Sequence, residues 1–336
     1  MKAIDRTLYL GYYFKKMNWG LLNKFLTHTS KLTGRGKMSL WMDAINCVYK
    51  YNISLLEYFQ FRFFEKSARE RAEWAGSGFM YEYQLKMNPR SKREVLEDKV
   101  HFFKFYGDLT GRAFATLEEL KNKQKSIEVF KNKAQKVVIK EIAGGCGKGL
   151  EILDLNKISN QDLINRMEST GNHLAEDFVD QHDSLNKLSS SALNTIRVIT
   201  QIDENGNAYV VDSRLRVSVN SIVDNLAAGN IVVGIDLDSG KVNTDGVYSD
   251  ITKKPVSHHP VSGIKFIGYE LPHWQEVIDL TTKAAEMMSE YNKSVGWDIG
   301  ITNEKPVLIE GNHDWCKLVW QLPIEKGLKS KLEKYY

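Results

Sequence analysis

Residues 136–149 read KVVIKEIAGGCGKG. The opening KVVIKEI is rich in β-branched residues between charges, the composition of a buried strand. It runs directly into a turn holding Gly144, Gly145, Gly147 and Gly149. Without Cβ atoms, such a turn leaves its backbone N–H groups open to phosphate oxygens. Lys140, at the end of the strand, adds a positive charge at the same place. The spacing is not that of a GxxxxGK[ST] loop, since Gly149 follows Lys148, and no GxGxxG is present. A flexible hairpin tip would account for the glycines equally well. Cys146 lies in the turn with no histidine placed to activate it, so a nucleophilic role is not expected.

Two apolar runs near the C-terminus carry acids where burial is costly. GWDIGIT (296–302) contains Asp298, and LIEGN (308–312) contains Glu310 and Asn312. Glu310 and Asn312 are two apart, so they share one face of an extended chain. A divalent cation held by oxygen donors compensates such burial. An acid paired with arginine inside a sheet is the alternative. SALNTIRVIT (191–200) places Arg197 at the start of an otherwise apolar strand, where an anion to clamp is the expected partner. Arg214 and Arg216 share a face of the next strand and could join it. Ion pairs with Asp212 or Asp224 are the competing explanation. The pair His258–His259 in SHHPVSG (257–263) reads as an inert loop.

Working outward, TIRVITQI and AYVVDSRLRVSV are joined by DENGN, a hairpin signal. IVVGIDLDSGKV predicts a further strand–turn–strand, and residues 160–170 and 273–292 predict helices. Upstream, residues 1–86 read as helical. Met38, Met42, Ile45 and Tyr49 recur at helical spacing. Asn52 and Ser54 are candidate N-caps for a helix in ISLLEYFQFRFFEK, and Asn88–Pro89 for another. The sequence predicts an α+β body with a largely antiparallel sheet behind a helical segment.

The 336 residues are 42% hydrophobic and 26% charged, which excludes disordered, collagenous and disulfide-scaffold classes. Three separated cysteines point to a reducing compartment, and no run of 18 apolar residues predicts a membrane span. A cytoplasmic location is expected. Residues 1–95 hold 17 Lys and Arg against 8 Asp and Glu, and half of the 36 aromatic residues. A helical module with its aromatics in the core is the simpler expectation. Contact with an anionic membrane surface is the alternative. Nucleic-acid binding is not expected, because no recognition motif is present.

The order of these motifs resembles the ATP-grasp superfamily, most closely its sugar-transfer-associated family, over about residues 75–322. The stretch YEYQLKMNPRSKREVLEDK comes first. VVIKEIAGGCGKG, LAEDFVDQHDSL, SALNTIRVIT, VDNLAAGN, SHHPVSG, GWDIGIT and LIEGN follow in that order. The resemblance implies two α+β lobes gripping ATP, at 87–180 and 181–336, after the helical segment 1–86. It implies phosphate contacts from Lys99 and Lys140 and closure by the loop from Gly144 to Gly149. Adenine would be read along Glu176, Asp177, Phe178 and Val179, and ribose by Asp183. Asp298, Glu310 and Asn312 would hold Mg2+, with Mn2+ as the alternative. Arg197 would neutralise the transferred phosphoryl group. Asn194, Arg214, Arg216 and Asn225 would face acceptor or phosphates. AAGN (227–230) departs from the paired glycine the family leads one to expect.

The implied activity is an ADP-forming carboxylate–amine ligase acting through an acyl phosphate. Its implied setting is surface-polysaccharide synthesis, with a uronic acid and an amine or amino acid as substrates. A sugar kinase and a non-catalytic nucleotide-binding module are the alternatives. Peripheral contact with the inner membrane surface or a lipid-linked glycan would suit that setting. Oligomeric state is not legible.

Overall fold

The computed structural model describes residues 17–130, 132–143 and 149–335. Two antiparallel sheets organise it. The smaller contains β1 (Phe114–Thr116), β2 (Lys136–Lys140), β3 (Glu151–Asp154) and β4 (Leu174–Asp177), in the order β1-β4-β2-β3. The larger contains β5 (Ile196–Ile202), β6 (Ala208–Val217), β7 (Ile231–Gly234), β8 (Ser294–Ile301) and β9 (Pro306–Asn312), in the order β7-β6-β5-β8-β9.

Every residue of β5 and β8 is buried. This explains why those strands read as nearly continuous apolar runs rather than as alternations. One face packs Ile196, Val198 and Trp297 against Val277, Ala284 and Met288, in or just after the helix Trp274–Glu286. The other packs Ile199 against Met80, Tyr83, Trp315 and Trp320. The predicted hairpin forms between β5 and β6, and the predicted helix 160–170 spans Asn160–Thr170.

Among the described residues the first helices of the module are α1 (Trp19–Thr33), α2 (Lys37–Tyr51) and α3 (Leu55–Gln60). Gly34 and Asn52 end α1 and α2 in left-handed geometry. Ser54 starts α3 through a reciprocal box with Glu57. Asn52 is therefore a stop rather than a start. Asn88 likewise ends the helix Ser77–Met87, and its buried amide donates to the carbonyls of Ser294 and His313.

Most of the described aromatics of the module are core, as expected. Phe25, Tyr58, Phe59, Phe61 and Phe63 are buried with Leu40, Ala44 and Cys47 of α2. That core continues into Leu226, Val232, Val247 and Val319, so the module and the large sheet share one apolar interior. The Met38–Tyr49 stripe is the exception and corrects the core expectation there. Met38 and Met42 are 70% and 66% exposed, because α2 packs its Leu40–Ala44–Cys47 side instead. Among the described residues no helix is long and apolar enough to cross a membrane.

Candidate active site

Sheet register brings the large-sheet candidates together. Arg197 on β5 lies opposite Asp298 on β8, which lies opposite Glu310 on β9. The Arg197 guanidinium holds Asp298 from two nitrogens, Nε to Oδ1 at 2.6 Å and Nη2 to Oδ2 at 3.0 Å. Arg216 Nη2 donates to Asp298 Oδ2 at 2.8 Å and lies 3.1 Å from Asp224 Oδ1. Gly296 makes room for this pairing: a Cβ there would sit 2.5 Å from Trp315 Cβ and 3.1 Å from Arg197 Cδ.

Burial alone would raise the Asp298 pKa. The guanidiniums of Arg197 and Arg216 outweigh it and hold the carboxyl down at about 2. Glu310 moves the other way, pushed up by burial and by the Asp298 charge beside it. Asn312 Nδ2 donates to Glu310 Oε1 and to the Gly296 carbonyl, each at 3.3 Å.

The small sheet supplies the opposing charges. Val138 on β2 pairs with Glu176 on β4, so Lys140, two residues on, shares Glu176's face. Lys140 Nζ donates to Glu176 Oε1 at 2.6 Å. Arg112 Nη1 lies 3.0 Å from Glu176 Oε2, and Arg112 Nη2 donates to the carbonyls of Leu308 and Ile309 on β9 at 3.1 and 3.0 Å. Burial would raise Glu176, but Arg112 and Lys140 lower it. Lys99, whose Nζ donates to the Ile142 carbonyl at 3.0 Å, is lowered by burial and by the nearby Lys140 charge, with Glu310 pulling the other way. Lys99, Lys140, Glu176 and Glu310 are thus electrostatic neighbours across the two sheets.

Arg112 belongs to none of the motifs noted above. An arginine just before β1 is the only hint of it in the sequence. Thr195 of SALNTIRVIT and Asp224, the acid weighed above as an arginine partner, complete the site. Thr195 donates to Asp224 Oδ2 from its backbone N and from Oγ1, and Arg216 donates to Thr195 Oγ1 from Nε and Nη2.

Other candidates sit elsewhere. Asn194 is fully buried; its amide donates to Gln181 and Ser189, and its oxygen accepts from Ser218. That use of all its hydrogen-bonding capacity orders the chain around it and corrects the expectation of an acceptor contact. Arg214 is held by Asp212 and by the carbonyls of Ser213 and Trp320, a structural ion pair. Asp177 accepts from Ala113 N and Asn132 Nδ2. Because β4 lies between β1 and β2, the edges of Glu176 and Asp177 are already paired, correcting the expected adenine-reading edge there. Phe178 and Val179 follow the strand, with Val179 against Gly300 of β8. Asp183 is exposed and bonded to Asn303. Asn225 caps a short turn through Ala227 N. His259 is buried on the Ser218 carbonyl, whereas His258 is exposed. Gly149 lies in a turn and its carbonyl accepts from Asn172. Gly144, Gly145, Cys146 and Gly147 fall outside the described residues.

The arrangement fits Mg2+ and a phosphorylated ligand. Asp298, Glu310 and Asn312 are hard oxygen donors, the set Mg2+ takes. A carboxylate offers about four lone-pair sites, and the arginines use three of those on Asp298. Glu310 is consequently the less committed of the two carboxylates. Among the described residues no cluster of three His, Cys, Asp or Glu competes with this set. Arg112 Nε is buried without a hydrogen-bond partner, a polar group that a ligand between the lobes would satisfy, while Glu176 Oε2 has only its ion pair with Arg112.

No curated protein matches the sequence. Among solved structures, biotin carboxylase from Campylobacter jejuni, in a β-γ-ATP complex, is 14% identical. That match covers 78% of this chain and 54% of that one, with a TM-score of 0.46. The biotin carboxylase domain of Hydrogenobacter thermophilus 2-oxoglutarate carboxylase, with MgADP, is 15% identical over 74% and 52%, with a TM-score of 0.43. D-alanyl-alanine synthetase A from Vibrio cholerae is 12% identical over 72% and 60%, with a TM-score of 0.40. The chain spans between half and three fifths of the length of these proteins. The sequence profile of the sugar-transfer associated ATP-grasp family matches residues 79–335. Two antiparallel α+β lobes, lysines on one and a carboxylate–amide set on the other, and that match together mean that the chain belongs to the sugar-transfer-associated ATP-grasp family.

Proposed function

We propose that the protein is a Mg2+- and ATP-dependent, ADP-forming ligase that joins a sugar-linked carboxylate to an amine. The observation that carries this reading is the meeting of Lys99, Lys140 and Arg112 with Glu310 and Asp298 across two lobes. Phosphoryl transfer is mostly positioning and charge neutralisation, and these residues supply both.

Lys99 and Lys140 hold phosphate oxygens from the small lobe, and Lys140 exchanges its bond to Glu176 for one to phosphate. Arg112 keeps the lobes in register. Arg197 acts through Asp298, fixing its carboxylate. Arg216 is the cation closer to the transferred group, since its side chain is more open than that of Arg197. Glu310, Asn312 and the remaining Asp298 lone pair would hold Mg2+, which when bound neutralises phosphate charge. A substrate carboxylate oxygen then bonds to the γ-phosphorus while the β–γ bridge breaks, giving acyl phosphate and ADP. An amine attacks the acyl carbon, loses its proton and expels phosphate. The sugar-transfer association of the family supports a uronic acid, amino sugar or sugar-linked amino acid, in a cytoplasmic setting of surface-polysaccharide synthesis.

The test is ADP release from Mg·ATP over uronic acids and amino acids, singly and paired, with hydroxylamine present. Acceptor-dependent ADP and a hydroxamate are expected, with turnover reduced more than about 100-fold in Glu310→Gln. A phosphorylated sugar without hydroxamate would make the protein a kinase. Failure to bind Mg·ATP would overturn the reading.

A further inference from the structure

Helix α2 is apolar on two sides. Leu40, Ala44 and Cys47 face the core. On the opposite side Met38, Met42 and Ile45 are 70%, 66% and 37% exposed. Their four- and three-residue spacing makes them neighbours on the helix surface, a continuous stripe rather than scattered residues. Leu32, near the end of α1 and just before the connection to α2, is also exposed. Solvated helices ordinarily carry polar residues where this stripe lies.

The charge around the stripe has one sign. Residues 17–54 contain Lys24, Lys31, Arg35, Lys37 and Lys50 against a single acid, Asp43. Asp43 is turned inward. It accepts from Arg71 Nη1 and Nη2 at 2.9 and 3.0 Å and from Tyr58 Oη at 2.7 Å, with Arg35 3.5 Å away. Lys24 is spent on Asp250 of the body. Lys31, Lys37 and Lys50 remain exposed on the hairpin. A second copy meeting this face about a twofold axis would set these lysines against one another. A negatively charged, partly apolar surface satisfies both the stripe and its flanks.

We propose that the α1–α2 hairpin seats the protein on an anionic phospholipid bilayer. Met38, Met42, Ile45 and Leu32 enter the boundary between headgroups and acyl chains, and Lys31, Lys37 and Lys50 meet lipid phosphates. The module packs on the β7 side of the large sheet, whereas Glu310 and Asn312 lie on β9 at the other edge. The docking face and the candidate active site therefore occupy different parts of the chain, and the proposal does not rest on the ligase reading.

The test is co-sedimentation of the full chain with phosphatidylcholine vesicles, with and without phosphatidylglycerol. Binding is expected only to the anionic vesicles and to weaken in high salt. Met42→Glu with Ile45→Glu should lower it at least about 10-fold, because both side chains leave the apolar boundary. Lys31→Gln with Lys37→Gln should lower it about 10-fold or more while leaving the stripe intact. All these positions are exposed, so thermal melts matching the unsubstituted protein establish that the variants fold. Absence of vesicle binding, or binding unaffected by both pairs, overturns the proposal. So does a concentration-dependent dimer in sedimentation velocity that only the glutamate pair dissociates, because the stripe would then be a self-interface.

Discussion

Arg112 joins two strands with one side chain. It ion-pairs with Glu176 on β4 and caps two carbonyls of β9, just before Glu310. Both Arg112 and Glu176 are nearly inaccessible to water, so removing one strands the other. Arg112→Ala should cost about 3 kcal/mol or more in urea unfolding. Arg112→Lys should cost less stability, yet still raise the KM for ATP, since one ammonium cannot span both lobes. Equal KM values for the two proteins would show that the clamp has no part in nucleotide binding. His259 offers a second prediction at this scale. Burial lowers its pKa below 6.5, and its Nε2 meets the Ser218 carbonyl at 3.0 Å while Ser262 N faces Nδ1 at 3.2 Å. A proton on Nδ1 would replace that acceptor with a second donor. Below about pH 6.5 the unfolded chain takes up a proton that the folded one resists, so stability falls as the pH drops. His259→Gln should flatten the slope of unfolding free energy between pH 7 and 5, compared with the unsubstituted protein.

Elements were legible in the sequence to the extent that their partners are local. DENGN between two β-branched runs announces β5 and β6, and Ser54 with Glu57 announces α3. Long-range pairing is not written this way. Nothing in LLEYFQ shows that the Glu57 carboxylate also accepts from Ser77 N and Oγ at 3.0 and 2.6 Å and ion-pairs with Lys317 at 2.9 Å. That single carboxylate ties α3 to the start of the helix Ser77–Met87 and to the helix Lys317–Gln321 that follows β9. Ser54→Ala should therefore cost about 1 kcal/mol, the loss of a cap, while Glu57→Ala should cost about 3 kcal/mol or more. Similar costs in thermal or urea unfolding would reduce Glu57 to a local cap. The stripe of α2 makes the same point from the other side. Helical spacing identified its residues as one face, but Leu40, Ala44 and Cys47 form an equally apolar face, and only packing against Phe25 and Tyr58 decides which is buried. The acids of β8 and β9 were legible because a charge inside an apolar run is anomalous by itself. Arg112 was not, because it becomes meaningful only when a distant strand arrives.

At the scale of the whole molecule, polar bridges join the two lobes, and one of them ends beside Glu310. Arg112 crosses from β4 to β9, and exposed Lys133 reaches Glu304 at 2.6 Å. A ligand that lies between Lys140 on one sheet and Glu310 on the other adds contacts that only the folded pair of lobes can make. It should stabilise them as one unit. At a concentration of 100 times its Kd, a ligand specific for the native state contributes about 2.7 kcal/mol. Mg2+ with a non-hydrolysable ATP analogue should accordingly raise the thermal midpoint by a few degrees. The rise should shrink when EDTA removes the metal, because the nucleotide phosphates and the Asp298–Glu310 pair then repel one another without a cation between them. Glu310→Gln removes part of that repulsion along with a metal ligand, so its midpoint with the analogue should respond less to EDTA than that of the unsubstituted protein. Lys140→Ala should lose most of the rise in both conditions, since its contact is with phosphate and not with metal. A rise that is the same with and without Mg2+, and unaltered in both variants, would place the nucleotide away from the Lys140–Glu310 site.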